Sequence, residues 1–291
     1  MVIEGKKILL TGGRGFIGSR LETRFREMGA DVMVYDISDG HDVTDHRHIA
    51  EFPESDIVCH LAALLYVPDS WKQPQAYYAV NAMGTVNMLE YCRTHHARMI
   101  LASSYIYGIP EYFPIDECHP LRPNNPYTHS KFIAEKMCQF YSVHFGIPCT
   151  ILRPFNVYGA TLDGNLLIPT ILRQIKACGR IEIGDPKPAR DWLYIDDLID
   201  AYVQALRQRN ESCEVFNIGS GKSHSVKEIA ECIRNIYGRH ISIQYTHETR
   251  INEIDNVVAD TRKARQTLGW APKTSLEEGL YLTMRDLEMI S

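Results

Sequence analysis

Short apolar runs alternate along this chain with longer stretches in which apolar residues recur at helical spacing. Lys7–Thr11 is the first such run, and it ends in glycines. Phe16–Glu27 then carries apolar residues three and four apart, the period of one helix face. Asp31–Tyr35 is strand-like again, followed by Asp56–Ala62, Met99–Ser103 and Cys149–Pro154. Between them, Tyr77–Thr94 and Tyr127–His144 are the clearest helical stretches. Strands that are apolar throughout are buried on both faces, as in a parallel sheet covered by helices. Right-handed crossovers make such a sheet doubly wound, an α/β fold. After Pro154 the rhythm changes. Glycine and proline become more frequent between Gly159 and Pro188, and the strands shorten. The expected division is a core domain over residues 1–155 and a smaller region over 156–291. About 190–215 should return to the core, with Asp196–Arg207 as the returning helix.

Composition narrows the classes of function. A chain of 291 residues suffices for one large α/β domain or for a core with a smaller partner. Its net charge of −5, with no long basic run, excludes nucleic acid as the expected partner. The cluster Arg262-Lys263-Ala264-Arg265 reads as a solvated helix face. No apolar run approaches the roughly 20 residues that span a bilayer. The chain runs almost directly from Met1 into a strand pattern without a signal-peptide layout, so the expectation is a cytoplasmic protein. The eight cysteines form no C-x-x-C pair and read as reduced core residues. His41, His46 and His48 lie close together but lack the further ligands of a metal site, and no metal is expected.

The first strand ends in Thr11-Gly12-Gly13-Arg14-Gly15-Phe16-Ile17-Gly18. Gly12, Gly15 and Gly18 have the spacing G-x-x-G-x-x-G. They allow a tight turn, a close approach to a pyrophosphate, and close packing of helix on strand. The helix N-terminus adds free N–H groups and a partial positive charge for phosphates. Asp36 ends the second strand, where an acid accepts from adenosine ribose hydroxyls. This is the dinucleotide fingerprint of a Rossmann fold. Asp36 would also repel a 2′-phosphate, by about 4 kcal/mol for two charges roughly 4 Å apart at an effective dielectric of about 20. NAD is therefore expected over NADP. Arg14 is the opposing feature, since a loop arginine can reach a 2′-phosphate; its other reading is a solvent-facing side chain.

Tyr127-Thr128-His129-Ser130-Lys131 follows Asn125-Pro126, and Pro126 suits a first helical turn. Tyr127 and Lys131 then share a helix face. An ammonium near the phenol would lower its pKa and let it exchange a proton with a substrate alcohol. Upstream, Ala102-Ser103-Ser104-Tyr105-Ile106-Tyr107-Gly108 leaves a strand end, which in an open α/β sheet faces the ligand crevice.

Here the sequence resembles the extended short-chain dehydrogenase/reductase superfamily, in its NAD-dependent epimerase/dehydratase branch. The motifs that carry the resemblance run nearly end to end. They are the glycine loop, Asp42-Val43, His60 to Ala63, Asn81 in Val80 to Thr85, and Ser103 to Gly108. The Tyr127–Lys131 pair, Arg153 to Gly159, Arg190-Asp191-Trp192, Phe216 to Gly221 and Leu268-Gly269-Trp270 complete them. The resemblance implies that Ser103, Tyr127 and Lys131 are catalytic. It places Phe16, Ile17, Asn81 and Pro154 with the cofactor, Asp42 and Val43 near adenine, and Leu61, Ala62 and Ala63 along it. Lys131 would also hold the nicotinamide ribose. Asn156, Asn165, Leu166 and Arg190 match positions that hold a nucleotide diphosphate, which suits arginine's planar fork. Ser104 and Tyr105 stand on the substrate side, where sugar-nucleotide 4,6-dehydratases carry acids. Without those acids elimination lacks its acid and base.

The expected activity is therefore C4 epimerisation of a nucleotide sugar through a transient 4-keto intermediate. The alternative is a 4-keto-6-deoxy nucleotide-sugar reductase, among which Gly184-Asp185-Pro186 also looks at home. A 4,6-dehydratase or a cofactor-binding regulator without catalysis stands behind both. The resemblance also implies a homodimer, with Tyr77–Thr94 and Phe132–His144 as the candidate helices.

Overall fold

The computed structural model describes residues 3–162, 164–208, 211–238, 240–246, 248 and 253–290. In the first half, strands β1 (Lys7–Thr11), β2 (Asp31–Tyr35), β3 (Ile57–His60), β4 (Arg98–Ala102) and β5 (Cys149–Pro154) alternate with helices α1 (Phe16–Glu27), α2 (Gly84–His95) and α3 (Pro126–Phe145). Beyond them lie β6 (Asn156–Tyr158), α4 (Leu167–Cys178), β7 (Arg180–Ile183), β8 (Ala189–Tyr194), α5 (Ile195–Arg207) and β9 (Cys213–Ile218). β10 (Ser223–Ser225), α6 (Val226–Tyr237), β11 (Ser242–Tyr245) and α7 (Leu276–Asp286) follow. The main sheet has the order β2-β1-β3-β4-β5-β9, and every pair in it is parallel.

The apolar strands are explained by what covers each face. Ile8 and Leu10 of β1 point into one hydrophobic cluster with Leu21 and Phe25 of α1 and Leu198 and Tyr202 of α5. Leu9, between them, points into the other, with Met88 and Leu89 of α2 and Ala134 of α3. Successive strand side chains face opposite ways, so a strand covered by helices on both sides is apolar at every position. The sheet is thus the doubly wound parallel sheet of a Rossmann-like fold. β9 joins it at the β5 edge, after α5 has packed on the α1 face. Two small sheets, β10-β8-β6 and β11-β7, lie outside it.

Between β2 and β3 the chain crosses over β1, so crossovers leave the C-terminal ends of β1 and β3 in opposite directions. That switch point opens a crevice. Thr11 ties its two edges together: its Oγ1 accepts from the backbone N–H groups of Leu61 and Ala62, at 3.2 and 3.1 Å.

Most boundaries fall where the hydrophobic pattern puts them, and one element differs in kind. The stretch expected as one helix from Tyr77 is a short turn over Pro74–Tyr77, a π-helical segment over Tyr78–Met83, and then α2. The Thr85 hydroxyl donates to the Asn81 carbonyl at 2.7 Å and competes for the helical acceptor there. Among the described residues, no helix is long and apolar enough to cross a membrane.

Candidate active site

A cavity of about 1260 Å³ runs along the C-terminal ends of the main sheet and under the smaller sheets. From the first half it is lined by Gly12, Gly15, Phe16, Ile17, Gly18, Asp36, Asp42, Val43, Leu61, Ala62, Ala63, Ser103, Ser104, Tyr127, Lys131 and Pro154. From the second half come Asn156, Asn165, Leu166 and Arg190. The expected site residues therefore meet in one cleft, with two exceptions, Asn81 and Tyr105.

At the glycine loop the backbone itself leaves no room for side chains. A Cβ on Gly18 would lie 2.2 Å from the Gly12 carbonyl oxygen, and one on Gly12 would lie 2.7 Å from the Ala62 nitrogen, with φ already +69°. Gly15 is open by comparison, which suits a cradle for phosphates at the start of α1. Asp36 sits beside it, nearly buried. Its Oδ1 accepts from the Ser38 N–H and hydroxyl at 3.0 and 2.8 Å, and its Oδ2 from the Arg14 N–H at 2.9 Å. Burial raises its pKa, but these bonds outweigh burial and hold the carboxyl below its ordinary value. A carboxylate has about four lone-pair sites, so one remains for a ribose hydroxyl. Arg14 does not offer a phosphate site. Its Nε and Nη1 pair with Asp39 and Glu22, both at 2.9 Å. The residues present fit NAD, and they oppose a 2′-phosphate with three carboxylates in the neighbourhood. NAD(H) should therefore bind more tightly than NADP(H), and Asp36→Ala should weaken NAD about 10- to 100-fold, the loss of a hydrogen bond to a charged group. Titrating both cofactors into both proteins checks this; equal binding by the wild type would overturn it.

The catalytic candidates converge from β4 and α3. Asn125 caps α3 by accepting from the Thr128 N–H at 2.9 Å, and Pro126 fits its first turn. Tyr127, Lys131 and Glu135 then recur four apart on its buried face. Lys131 Nζ donates to the Ala102 carbonyl at 2.9 Å, and burial pulls its pKa down to about 8. Tyr127 departs from the expectation that Lys131 would lower its pKa. Burial raises the phenol above its ordinary value, and the partner that lowers it is the Ser104 hydroxyl. The lysine is anchored at the end of β4 by its bond to the Ala102 carbonyl. Ser103 departs too. Its Oγ donates to Glu135 Oε1 at 2.5 Å, away from Tyr127.

Two of the expected contact residues do not line the cleft. Asn81 is buried at the back of the cleft. Its Oδ1 accepts from the Leu64 N–H at 2.8 Å, and its Nδ2 donates to the Leu64 carbonyl and to Ser130 Oγ. It holds the wall after β3 in place without facing the cleft. Tyr105 turns away, donating to the Gly108 carbonyl at 2.6 Å and packing against Tyr107 and Phe155. Sequence reasoning also missed Glu253, a cleft residue that pairs with Arg190, and Glu135. The four-residue spacing from Lys131 was an available signal for Glu135. Glu253 had none, because it reaches Arg190 only through the pairing of Ala189 with Asn256.

A glycine cradle, an acid at the second strand and a Tyr–Lys pair in one cleft define a dinucleotide-dependent enzyme of the extended short-chain dehydrogenase/reductase type. The chain belongs to the NAD dependent epimerase/dehydratase family, whose model matches residues 8–219. UDP-glucose 4-epimerase of Lactobacillus helveticus is 35% identical over 306 residues, covering 92% of this chain and 92% of its own. UDP-glucuronic acid decarboxylase 1 of Danio rerio is 31% identical over 308 residues, covering 96% of this chain and 72% of its own. Among solved structures, UDP-glucose 4-epimerase of Thermotoga maritima with UDP-glucose superposes with a TM-score of 0.89 at 29% identity, covering 97% of this chain and 98% of that one. RMD of Pseudomonas aeruginosa with NADPH gives 0.88 at 26% identity, covering 97% and 99%.

Proposed function

We propose that this chain is an NAD-dependent epimerase that inverts C4 of a nucleoside-diphosphate hexose. The observation that carries the reading is the content of the cleft beside Tyr127. Ser103, Ser104, Tyr127 and Lys131 suffice to move one proton, and the two positions after Ser103 hold a hydroxyl and a phenol turned away, not the acids of an elimination. In this reading residues 1–155 hold NAD. The glycine loop takes the pyrophosphate, Asp36 the adenosine ribose, Asp42 and Val43 the adenine, and Leu61 to Ala63 and Pro154 flank the cofactor. Residues 156–291 hold the substrate, with Asn156, Asn165, Leu166 and Arg190 on the diphosphate. NAD, when bound, would supply hydride-transfer chemistry at C4. Tyr127 takes the C4 hydroxyl proton and gives it back after the flat 4-keto sugar has turned over. Lys131 adds a positive charge to this end of the cleft, and the site's main work is to hold the reacting atoms in place. α3 leaves Phe140, Val143 and Phe145 exposed near its end, and we infer a homodimer seated there, which a light-scattering mass of one chain would overturn.

An epimerase returns the hydride it takes, so it needs no added reduced cofactor. Incubated with UDP-glucose, UDP-galactose and their N-acetyl forms, the protein should produce C4 epimers by NMR, and a sugar deuterated at C4 should keep its label there. Formation of no epimer, with stoichiometric oxidation of NADH or NADPH by a 4-keto-6-deoxy nucleotide sugar, would install the reductase instead. Release of carbon dioxide from UDP-glucuronic acid, again without epimers, would install a decarboxylase.

A further inference from the structure

The adenosine end of the cleft holds an arginine whose guanidinium is already engaged. The backbone N–H of Arg14 donates to Asp36 Oδ2 at 2.9 Å, and Arg14, Asp36, Ile37 and Ser38 line the same end of the cleft. A phosphate on the ribose hydroxyl that Asp36 accepts from would therefore lie beside Arg14, and arginine's planar fork suits a phosphate. The side chain is committed elsewhere. Its Nε donates to Asp39 Oδ2 and its Nη1 to Glu22 Oε2, both at 2.9 Å. Asp39 belongs to the short turn Ile37–Asp39, which Asp36 caps through the Ser38 N–H. Glu22 stands on α1 and is fixed by Arg26, whose Nε and Nη2 donate to its Oε1 at 3.2 and 3.0 Å. Arg26 is tied in turn to the Val32 carbonyl of β2 at 2.7 Å. These five side chains, two cations and three carboxylates, carry a net negative charge. Arg14 and Asp39 are 47% and 38% exposed, so the pairs that hold the guanidinium are weak enough for a phosphate to compete once they are neutralised.

We propose that Glu22 and Asp39 are specificity-determining residues for the cofactor: by holding the Arg14 guanidinium between them they close a latent site for the 2′-phosphate of NADP. The inference rests on the dinucleotide reading of the cleft and is independent of which sugar reaction follows. Asp36 favours the free ribose hydroxyl directly. Glu22 and Asp39 act on the cation beside it that opposes that preference. While both are charged, Arg14 must give up two carboxylates to meet a phosphate, and the phosphate enters a net negative surrounding. With both replaced by amides, the guanidinium has only neutral acceptors and the five side chains carry a net positive charge. A hydrogen bond between ions is stronger than one to a neutral amide, so Arg14 then turns to the phosphate.

The test titrates NAD and NADP into the full chain by calorimetry, without substrate. Glu22→Gln with Asp39→Asn should tighten NADP about 10- to 100-fold, the worth of a hydrogen bond to a charged group. NAD should move less than about threefold, because the bonds that Asp36 accepts come from Ser38 and the Arg14 backbone. Each single variant should gain less, since the other carboxylate still holds one edge of the guanidinium. Adding Arg14→Ala to the double variant should remove most of the gain, which tells a freed arginine from a mere loss of repulsion. Adenosine 2′,5′-bisphosphate should show the same gain and ADP none, which places the effect on the 2′-phosphate. An unchanged NADP affinity in the double variant, or a gain that survives Arg14→Ala in full, would overturn the proposal. So would a loss of NAD affinity as large as the gain in NADP, which would make the three residues a clamp on the turn after β2. A wild type that binds neither dinucleotide would overturn the cofactor reading and this proposal together, whereas the other adverse results overturn this proposal alone.

Discussion

Tyr127→Phe should lower kcat about 10²- to 10⁴-fold while leaving NAD binding and the unfolding midpoint nearly unchanged. The variant removes one oxygen and no packing. The ring stays on the buried face of α3, edge-on to Tyr77 with centroids 6.4 Å apart. The nearby Ser104 hydroxyl lines the cleft and can turn to solvent, so no buried donor is stranded. What disappears is the group that exchanges a proton with the sugar, and general acid–base work of this kind is worth about that factor. The rate should fall through kcat, with KM little moved, because proton exchange develops in the transition state. Steady-state kinetics with whichever nucleotide hexose the wild type epimerises gives the ratio. Turnover within tenfold of the wild type would remove Tyr127 from the mechanism. A phenol that burial holds above its ordinary pKa is fully protonated at neutral pH in the free protein. The wild-type rate should therefore climb on the alkaline side, and the residual rate of the phenylalanine variant should not follow that climb.

How much of this was legible depends on how local each cause is. β1, α1, β2 and β5 begin and end where the apolar pattern says, because burial on both sheet faces leaves its mark on every residue of a strand. The glycine loop was legible for the same reason: the contact between Gly18 and the Gly12 carbonyl lies within one turn of chain. The π-helical segment was not. Its setting is the grip of Asn81 on Leu64, which lie 17 residues apart. The short strands of β10-β8-β6 left no clear period, being three to six residues long and only partly buried. In the site, residue type and spacing identified Tyr127, Lys131 and the serine pair. They did not reveal which serine faces which partner. That is decided by Glu135 and by Arg153, which reaches it from β5.

Arg153 carries the second large expectation. Its guanidinium and the Glu135 carboxylate are 3% and 1% exposed, and the pair is the hinge of a buried network. Arg153 Nη1 donates to the Tyr107 hydroxyl at 2.8 Å, which donates to Asn217 Oδ1 at 2.6 Å. Asn217 Nδ2 in turn donates to the Ile115 carbonyl at 2.9 Å. One network thus ties α3, β5, β9 and the loop after β4 together directly behind Ser103. Burial works against the arginine's charge, and the bonds to Glu135 more than restore it. Arg153→Met would leave the carboxylate buried without its counter-charge. Breaking a buried pair from one side costs about 3–5 kcal/mol. For a chain of this size that is on the order of 10 °C in the unfolding midpoint. Removing both charges is different, because replacing a buried pair with apolar residues of similar volume is often neutral. The double variant Glu135→Leu with Arg153→Met should therefore recover much of the loss, although Ser103 then has no carboxylate to hold its proton. Thermal unfolding of the wild type, the single and the double variant at pH 7.5 measures both effects. A single variant as stable as the wild type, or a double variant less stable than the single, would show that the pair does not hold this side of the cleft.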